Sequence, residues 1–554
     1  MPRLLPDEQE EERRFERALR HDELERGHEA MARPLHPLWL AAVAAAALLP
    51  RLVTLFWVTD PENAGDGWLG DVYHHWQIAY LTREIGLGAP GGPRLWDLKG
   101  LDYFWGILHP LVMVGLFSVT GSVDIVLARL LALCFGAFVV VMIFLVCRRY
   151  WGTGVAVAAA AFAAFAPTGV FDDASGMLEP VGIGLCLLAV WLWPRRGLWA
   201  GVALALAAMA RAEAWVFSAG LLVAAFLKRQ ATQQRLAMVC AWGVGMLLYM
   251  KVLLDRTGNP IYPLWWNFLA NAYGAWEYRV SLTRTQLAVR PYLLLLMAVG
   301  AVGLAVTLWR RPRSYLFLTL GFGQLVFTGG MLGASAYLKS WESWFWMTRF
   351  FVFPYQFAAV LVAVALLVLV PRRLGPRALP AGWVVVVLAL VLVQAEWVPI
   401  LHRYGDTRPI WANAVAAGRD LGAVADRPEN RDGALNIPAG NPDVTYTLVR
   451  YGGVSGRRIV GQLYDPFYYL PNGYRYRDHR AVAGTLLQCW LADTDTRVWA
   501  FPSAHDDYTE FVRDHPAWFV GRGTVRTEDW IVEEVNVPRP TRAECRQAYA
   551  DAAR

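Results

Sequence analysis

The sequence predicts a polytopic α-helical membrane protein of about eleven spans, followed by a C-terminal extracytoplasmic α/β domain. Three observations predict it. Hydrophobic residues make up 56% of the 554 positions and charged residues only 18%, less charge than a soluble chain of this size carries. The apolar residues fall in blocks of membrane-spanning length. From residue 401 the composition turns polar, and short strand-like runs alternate with helix-like ones.

The segments follow in order. Residues 1–35 form a charged N-terminal stretch, nearly all polar from Glu8 to Arg20. It reads as a cytoplasmic surface helix and is too charged for a cleavable signal peptide. The first span is His36 to Trp57, with Arg51 near its outer end. A long first outer loop, 59–124, contains two partly apolar runs, 72–87 and 105–119. Both are expected to be helices lying along the membrane face, the second being too short for a comfortable span. Further spans are predicted at 125–148, 154–171, 177–193, 197–211, 213–227, 235–254, 291–309, 314–333, 350–370 and 381–400. The membrane domain is thus 36–400 and the outer domain 401–554.

Basic residues set the orientation. Arg148-Arg149, Arg195-Arg196, Lys228-Arg229, Arg310-Arg311-Arg313 and Arg372-Arg373-Arg377 fall between alternate spans. With Met1 in the cytoplasm every cluster is cytoplasmic, and eleven spans leave the C-terminal domain outside. The net charge of +6 is therefore a property of membrane topology, and no nucleic-acid partner is expected. Cys134, Cys147, Cys186 and Cys240 lie in apolar blocks as packing residues, whereas Cys489 and Cys545 lie in the polar part, where they are able to pair if it is outside.

Several spans are short. Fifteen to eighteen residues reach roughly 22–27 Å, less than the ~30 Å hydrocarbon core. Two hairpins with such legs have charged tips, one from Phe171 to Pro180 containing Asp172, Asp173 and Glu179, the other Ala210-Arg211-Ala212-Glu213. Charges below the membrane surface require a wet, protein-lined cavity. The pattern predicts a polar cavity open to the outer face. Two further outer loops are candidates to line it: 254–291, and 333–349 with Lys339, Trp341, Glu342, Trp344, Trp346 and Arg349.

The order of motifs resembles the GT-C superfamily of membrane glycosyltransferases. The first span ends in Arg51-Leu52, and the acidic Asp71 follows in Gly70-Asp71-Val72-Tyr73-His74-His75. His109-Pro110 precedes the next span, and then come Gly121, Arg129-Leu130 and Arg148-Arg149 before Gly152. An apolar run near Pro167 leads to an acidic tip with Ser175 and Glu179, and Gly201 to Arg211 has the form Gly-x-x-x-Ala-x-Ala-x-Met-x-Arg. Thr348-Arg349-Phe350-Phe351-Val352-Phe353-Pro354 is similar to the Arg-Tyr-x-x-x-x-Pro element of that superfamily, with Phe350 in place of Tyr and one residue fewer before the Pro. Within that superfamily the chain is similar to the aminoarabinose, protein-mannosyl and cell-wall glycosyl transferases.

The resemblance implies transfer of a single sugar from a polyprenyl-phosphate donor to a hydroxyl acceptor, with inversion. Asp71 is the candidate general base. Arg211, Lys339 and Arg349 are candidates for the leaving phosphate. Asp172, Asp173, Glu179, His74, His75, His109, Tyr73 and Trp344 are candidates for acceptor or sugar contacts, and the 26 Trp suit both sugar stacking and the membrane interface. The expected partners are the lipid donor, a glycan, lipid or protein acceptor, and membrane lipids. No cofactor is expected, and a divalent metal, though compatible with the chemistry, is not called for. The Asp-x-Asp and Trp-Trp-Asp elements of the superfamily's oligosaccharyltransferases do not occur, Asp66 and Asp71 being too far apart; this favours single-sugar over en bloc transfer. The absence of organelle signals and the Ala-, Arg- and Gly-rich makeup point to a bacterial plasma membrane.

Each residue also has an ordinary structural role open to it. Asp71 suits a helix N-cap, Asp172-Asp173 a solvated turn, Arg349 an interfacial position and the Trp run a membrane belt. The rival functions are en bloc oligosaccharyl transfer, a lipid or glycan flippase with an outer binding domain, and a membrane scaffold. A transporter commonly shows repeated hydropathy in its two halves, which this chain does not. A scaffold has no need of acids at two hairpin tips.

Overall fold

The computed structural model describes residues 35–65, 70–85, 106–227, 232–257, 259–265, 284–338, 348–437, 441–460, 484–502, 513–520 and 530–552. Each of the eleven apolar blocks is helical. They are α1 (Pro37–Val53, extended by a wide turn to Val58), α4 (Ile125–Trp151), α5 (Thr153–Phe165) with α6 (Pro167–Ser175), α7 (Glu179–Leu192), α8 (Gly197–Ala210), α9 (Glu213–Leu227), α10 (Thr232–Thr257), α11 (Arg284–Arg310), α12 (Tyr315–Leu338), α13 (Thr348–Val364) and α14 (Ala378–Val393). The first outer loop supplies α2 (Asp71–Ile85) and α3 (Leu108–Thr120). Among the described residues seven helices are long and apolar enough to cross a membrane, or eight if α5 and α6 count as one bent span. This is a helical, multi-pass membrane protein. Helices α7, α8 and α9 are apolar but only 14 to 15 residues long, as expected for hairpins that turn below the surface.

The hairpin tips are built by local sequence. Pro167 keeps Ala166 extended (φ −63°, ψ 120°), because a residue before proline is driven out of the helical region. The chain therefore bends by 55° between α5 and α6, and α6 turns into the protein, with Asp172, Asp173 and Ser175 all buried. It stops at Gly176, whose φ of +100° is a left-handed cap that suits glycine. Alanines 156, 159, 160 and 163 of α5 are buried, and such small side chains let membrane helices approach closely.

Helix α2 lies deeper than a surface helix. Val72, Tyr73, Trp76, Gln77, Ala79 and Tyr80 are all buried, because the C-terminal part covers the side that the membrane domain does not. Helix α3 does present Leu111, Val112 and Val119 outward. The chain leaves the membrane domain on α15 (Trp397–Ala425), which runs through position 400 without a break.

Beyond it stand β1 (Ala434–Asn436), α16 (Pro442–Arg450), β2 (Ile459–Val460), α17 (Gly484–Asp493), β3 (Thr496–Pro502), β4 (Trp530–Glu534) and α18 (Arg542–Ala552). The strands form one sheet in the order β2-β1-β3-β4. Strand β1 is parallel to both its neighbours, and β4 is antiparallel to β3. Cys489 of α17 and Cys545 of α18 are joined by a disulfide. Helix α16 packs on α2: Gln77 Nε2 donates to Thr445 Oγ1 at 3.1 Å, and the backbone N–H of Gly456 donates to the Tyr80 hydroxyl at 3.1 Å. Arg450 Nε reaches Glu62 Oε1 at 2.9 Å.

Candidate functional site

Asp71 is the first residue of α2, where a carboxylate also favours the positive end of the helix. Two side chains of α2, Tyr73 and Trp76, hold the start of that helix in place. The Tyr73 hydroxyl donates to the Glu62 carbonyl at 2.8 Å, and its ring stacks on Trp411. Trp76 Nε1 donates to the Val123 carbonyl at 2.6 Å and its ring stacks on Tyr80. Tyr73 therefore spends its hydroxyl on the loop that precedes the helix. That loop is also gripped by Arg129, whose guanidinium donates to the carbonyls of Asp60, Pro61 and Asn63 and, through Nε, to Ala174 at the first hairpin tip.

The two tips meet through Arg211 and Glu179, and Arg349 links them to Asp71. Arg211 sits in extended conformation between α8 and α9. Its Nε is 2.7 Å from Glu213 Oε1 and its Nη2 is 3.4 Å from Glu179 Oε1. Glu179 opens α7. Arg349, near the start of α13, places Nη1 2.5 Å from Asp71 Oδ2 and Nε 3.5 Å from Glu179 Oε1. The Glu179 carboxylate thus lies between two guanidinium groups, and an ionic chain runs Asp71–Arg349–Glu179–Arg211–Glu213. Four segments far apart in sequence contribute to it.

Below this chain lies a cavity, partly open to solvent, with about 540 Å³ of empty space counted out to the solvent. Asp172, Glu179, Glu213 and Arg349 supply charge to its lining, and Val139, Ile183, Met177 and Phe353 supply apolar surface. Asp172 Oδ2 is buried with no hydrogen-bond partner among the described residues. Asp173 also reaches the lining, but its carboxylate is taken up by Arg51, with Nε and Nη2 each 2.8 Å from Oδ2. Arg51 is fully buried and also donates to the carbonyls of Ala47, Ala163 and Ala164. Gly136 lets Asp173 in: a Cβ there would meet Asp173 Oδ2 at 2.0 Å.

The histidines form a second group. His75 of α2 and His109 of α3 are both buried, and their rings meet edge to face at 5.7 Å. Burial, aided by the nearby Arg211, pushes His109 down to about 4. Burial also holds His75 well below the usual range, with His109, His74, Arg211 and Arg349 adding to the shift. His74 is lowered by burial, partly offset by Asp71. All three are neutral near pH 7. Among the described residues no three His, Cys, Asp or Glu side chains converge as a metal site.

Of the residues that sequence singled out, Asp172, Asp173, Glu179 and Arg349 line one cavity, and ion pairs join Asp71 to Arg349 and Arg211 to Glu179, with His75 and His109 close by Arg211. Lys339 and Trp344 fall outside the described residues. Sequence reasoning did not single out Glu213 as a site residue, nor Gln324 and Gln356, which line the cavity from α12 and α13. A signal for Gln356 existed: Arg349, Val352, Phe353 and Gln356 stand at i, i+3, i+4 and i+7, one face of a helix.

No family model matches the chain, and no curated protein matches its sequence. Solved structures that are similar include the Archaeoglobus fulgidus oligosaccharyltransferase tethered with an acceptor peptide, 10% identical over 84% of this chain and 69% of that one, with a TM-score of 0.47. The Archaeoglobus fulgidus oligosaccharyltransferase AglB in complex with an inhibitory peptide and a dolichol-phosphate is 12% identical over the same shares, with a TM-score of 0.46. ArnT from Cupriavidus metallidurans bound to undecaprenyl phosphate is 12% identical over 90% of this chain and 98% of that one, with a TM-score of 0.45.

Proposed function

We propose that this protein is a glycosyltransferase that moves a single sugar from a polyprenyl-phosphate donor to a hydroxyl acceptor at the outer face of the cell membrane. The observation that carries the reading is the ionic chain joining Asp71, Arg349, Glu179 and Arg211, of which Glu179 and Arg349 line a cavity between helices. Buried charges in a membrane domain are costly unless they serve a site. A carboxylate at Asp71 able to take a proton from an acceptor, and guanidinium groups at Arg349 and Arg211 able to hold a departing phosphate, are the set this chemistry needs.

The step balances as follows. The acceptor oxygen attacks the anomeric carbon while its proton passes to Asp71. The bond from the anomeric carbon to the phosphate oxygen breaks, and its electron pair stays on the lipid phosphate. Attack opposite the leaving group inverts the anomeric centre. Arg349 and Arg211 stabilise the added negative charge. Before the donor binds, Arg349 is paired with Asp71; an arriving phosphate competes for that guanidinium and releases the carboxylate for the acceptor.

The orientation follows from the basic clusters, which put the N-terminus in the cytoplasm and the C-terminal domain outside. The Cys489–Cys545 disulfide supports that side, since such bonds persist in oxidising compartments. In this reading the C-terminal domain, which packs on α2, helps acceptor binding or closes the site.

The test uses purified protein in lipid nanodiscs, labelled polyprenyl-phosphate sugars and a membrane extract as acceptor source. Label is expected to move to the extract with the full-length protein and to stay on the lipid with Asp71→Asn. Full turnover by Asp71→Asn, or no transfer from any polyprenyl-phosphate sugar, would overturn the reading.

A further inference from the structure

The chamber beneath Arg349 contains polar groups that the ionic chain does not use. Gln324 of α12, Gln356 of α13 and Asp172 of α6 all line it. Each is more than nine-tenths buried. Gln324 Oε1, Gln356 Oε1 and Asp172 Oδ2 have no hydrogen-bond partner among the described residues. Three helices thus bring three open acceptors to one partly open space inside the membrane domain. Gln356 stands seven residues beyond Arg349, two turns or roughly 10 Å along the same helix face.

We infer that this chamber is the sugar subsite, in which Gln324, Gln356 and Asp172 accept hydrogen bonds from hydroxyl groups of the transferred sugar and so select the donor. The inference rests on the proposed lipid-phosphate chemistry and names what lies beside the phosphate. A hydrocarbon tail offers no donors, and in this chamber it would strand all three acceptors at a cost in free energy. A neutral polyhydroxylated ring satisfies them, and its apolar faces suit Val139, Ile183 and Phe353. Glutamine is fitted to this depth: it recognises hydroxyls as both donor and acceptor, without the greater penalty of a full charge in the bilayer. The phosphate then lies under Arg349 and Arg211, and the lipid tail leaves sideways into the membrane.

The experiment measures binding of the full-length protein in nanodiscs to a short-chain polyprenyl monophosphate, bare or carrying one of a panel of pentoses and hexoses. At least one glycosylated lipid is expected to bind tenfold or more tightly than the bare monophosphate. Gln324→Leu and Gln356→Leu should erase that advantage and leave affinity for the bare lipid within twofold. Leucine in a span favours insertion, and unfolding temperatures of the variants check that they fold. Bare-lipid binding with no gain from any sugar would overturn the subsite alone, as would a gain that both variants keep. Equal weakening of bare and glycosylated lipids would also overturn it, since that marks a structural role. Failure to bind any polyprenyl phosphate would overturn the proposed function and the subsite together.

Discussion

Arg349 Nη1 lies 2.5 Å from Asp71 Oδ2, across 278 positions of sequence. The pair joins the candidate base to the candidate phosphate ligand, so each substitution below is expected to disturb one partner in a distinguishable way.

Asp71→Asn keeps the size of the side chain and removes its basicity. Transfer should fall by about 10²–10⁴-fold, the usual contribution of a general base. Donor binding should hold or tighten, because Arg349 loses a competitor. Steady-state kinetics with donor titration separate the two effects.

Arg349→Met should weaken binding of a polyprenyl monophosphate by roughly ten- to a hundredfold, from loss of a charge-assisted hydrogen bond worth about 1.5–3 kcal/mol. Arg349→Lys keeps the charge but not the forked geometry that spans Asp71 and Glu179, and it should fall between. Equilibrium binding to lipid nanodiscs gives the comparison.

Arg51 and Asp173 form a buried pair at 2.8 Å, and their expected role is stability. Removing one partner strands the other, so Arg51→Met should cost about 3–5 kcal/mol. The double variant Arg51→Met with Asp173→Leu should recover a good part of this. Gly136→Ala drives a methyl group into Asp173 and should cost about 1–3 kcal/mol by overpacking. Thermal unfolding in detergent ranks the four proteins.

His109 should make the fold acid-sensitive. In the folded protein it titrates at about 4 and in the unfolded chain near 6.5. Between these values the unfolded chain binds the extra proton, so stability is full above about pH 6.5 and declines as pH falls toward 4. The loss is roughly 3 kcal/mol. The groups facing it are the His75 ring and Arg211, and His75 is lowered in the same sense. His109→Gln should flatten the stability profile over that window, read as unfolding temperature against pH.

The apolar blocks were legible because each is a local matter of length and composition. All eleven proved helical, and the polar part beyond residue 401, where strand-like runs alternate with helix-like ones, does contain strands such as β3 and β4. The acids and arginines at the hairpin tips were legible because a short leg cannot carry its charged tip across the bilayer. What composition could not reveal was who pairs with whom. Asp172 and Asp173 are neighbours in sequence, yet one opens into the cavity and the other is neutralised by Arg51. That division depends on how α6 bends at Pro167 and packs against α1 and α4. Gln324 and Gln356 read as isolated polar residues in apolar spans until α12 and α13 turn them to one space.

By itself, then, the sequence determined the membrane class, the helices and the supply of charge at their ends, because hydrophobicity and proline act over a few residues. Only the tertiary structure decided that Asp71 meets Arg349, that Glu179 lies between two guanidinium groups and that Asp173 belongs to Arg51. Ion pairs form over a few ångströms, and helix packing alone brings segments hundreds of residues apart to that distance.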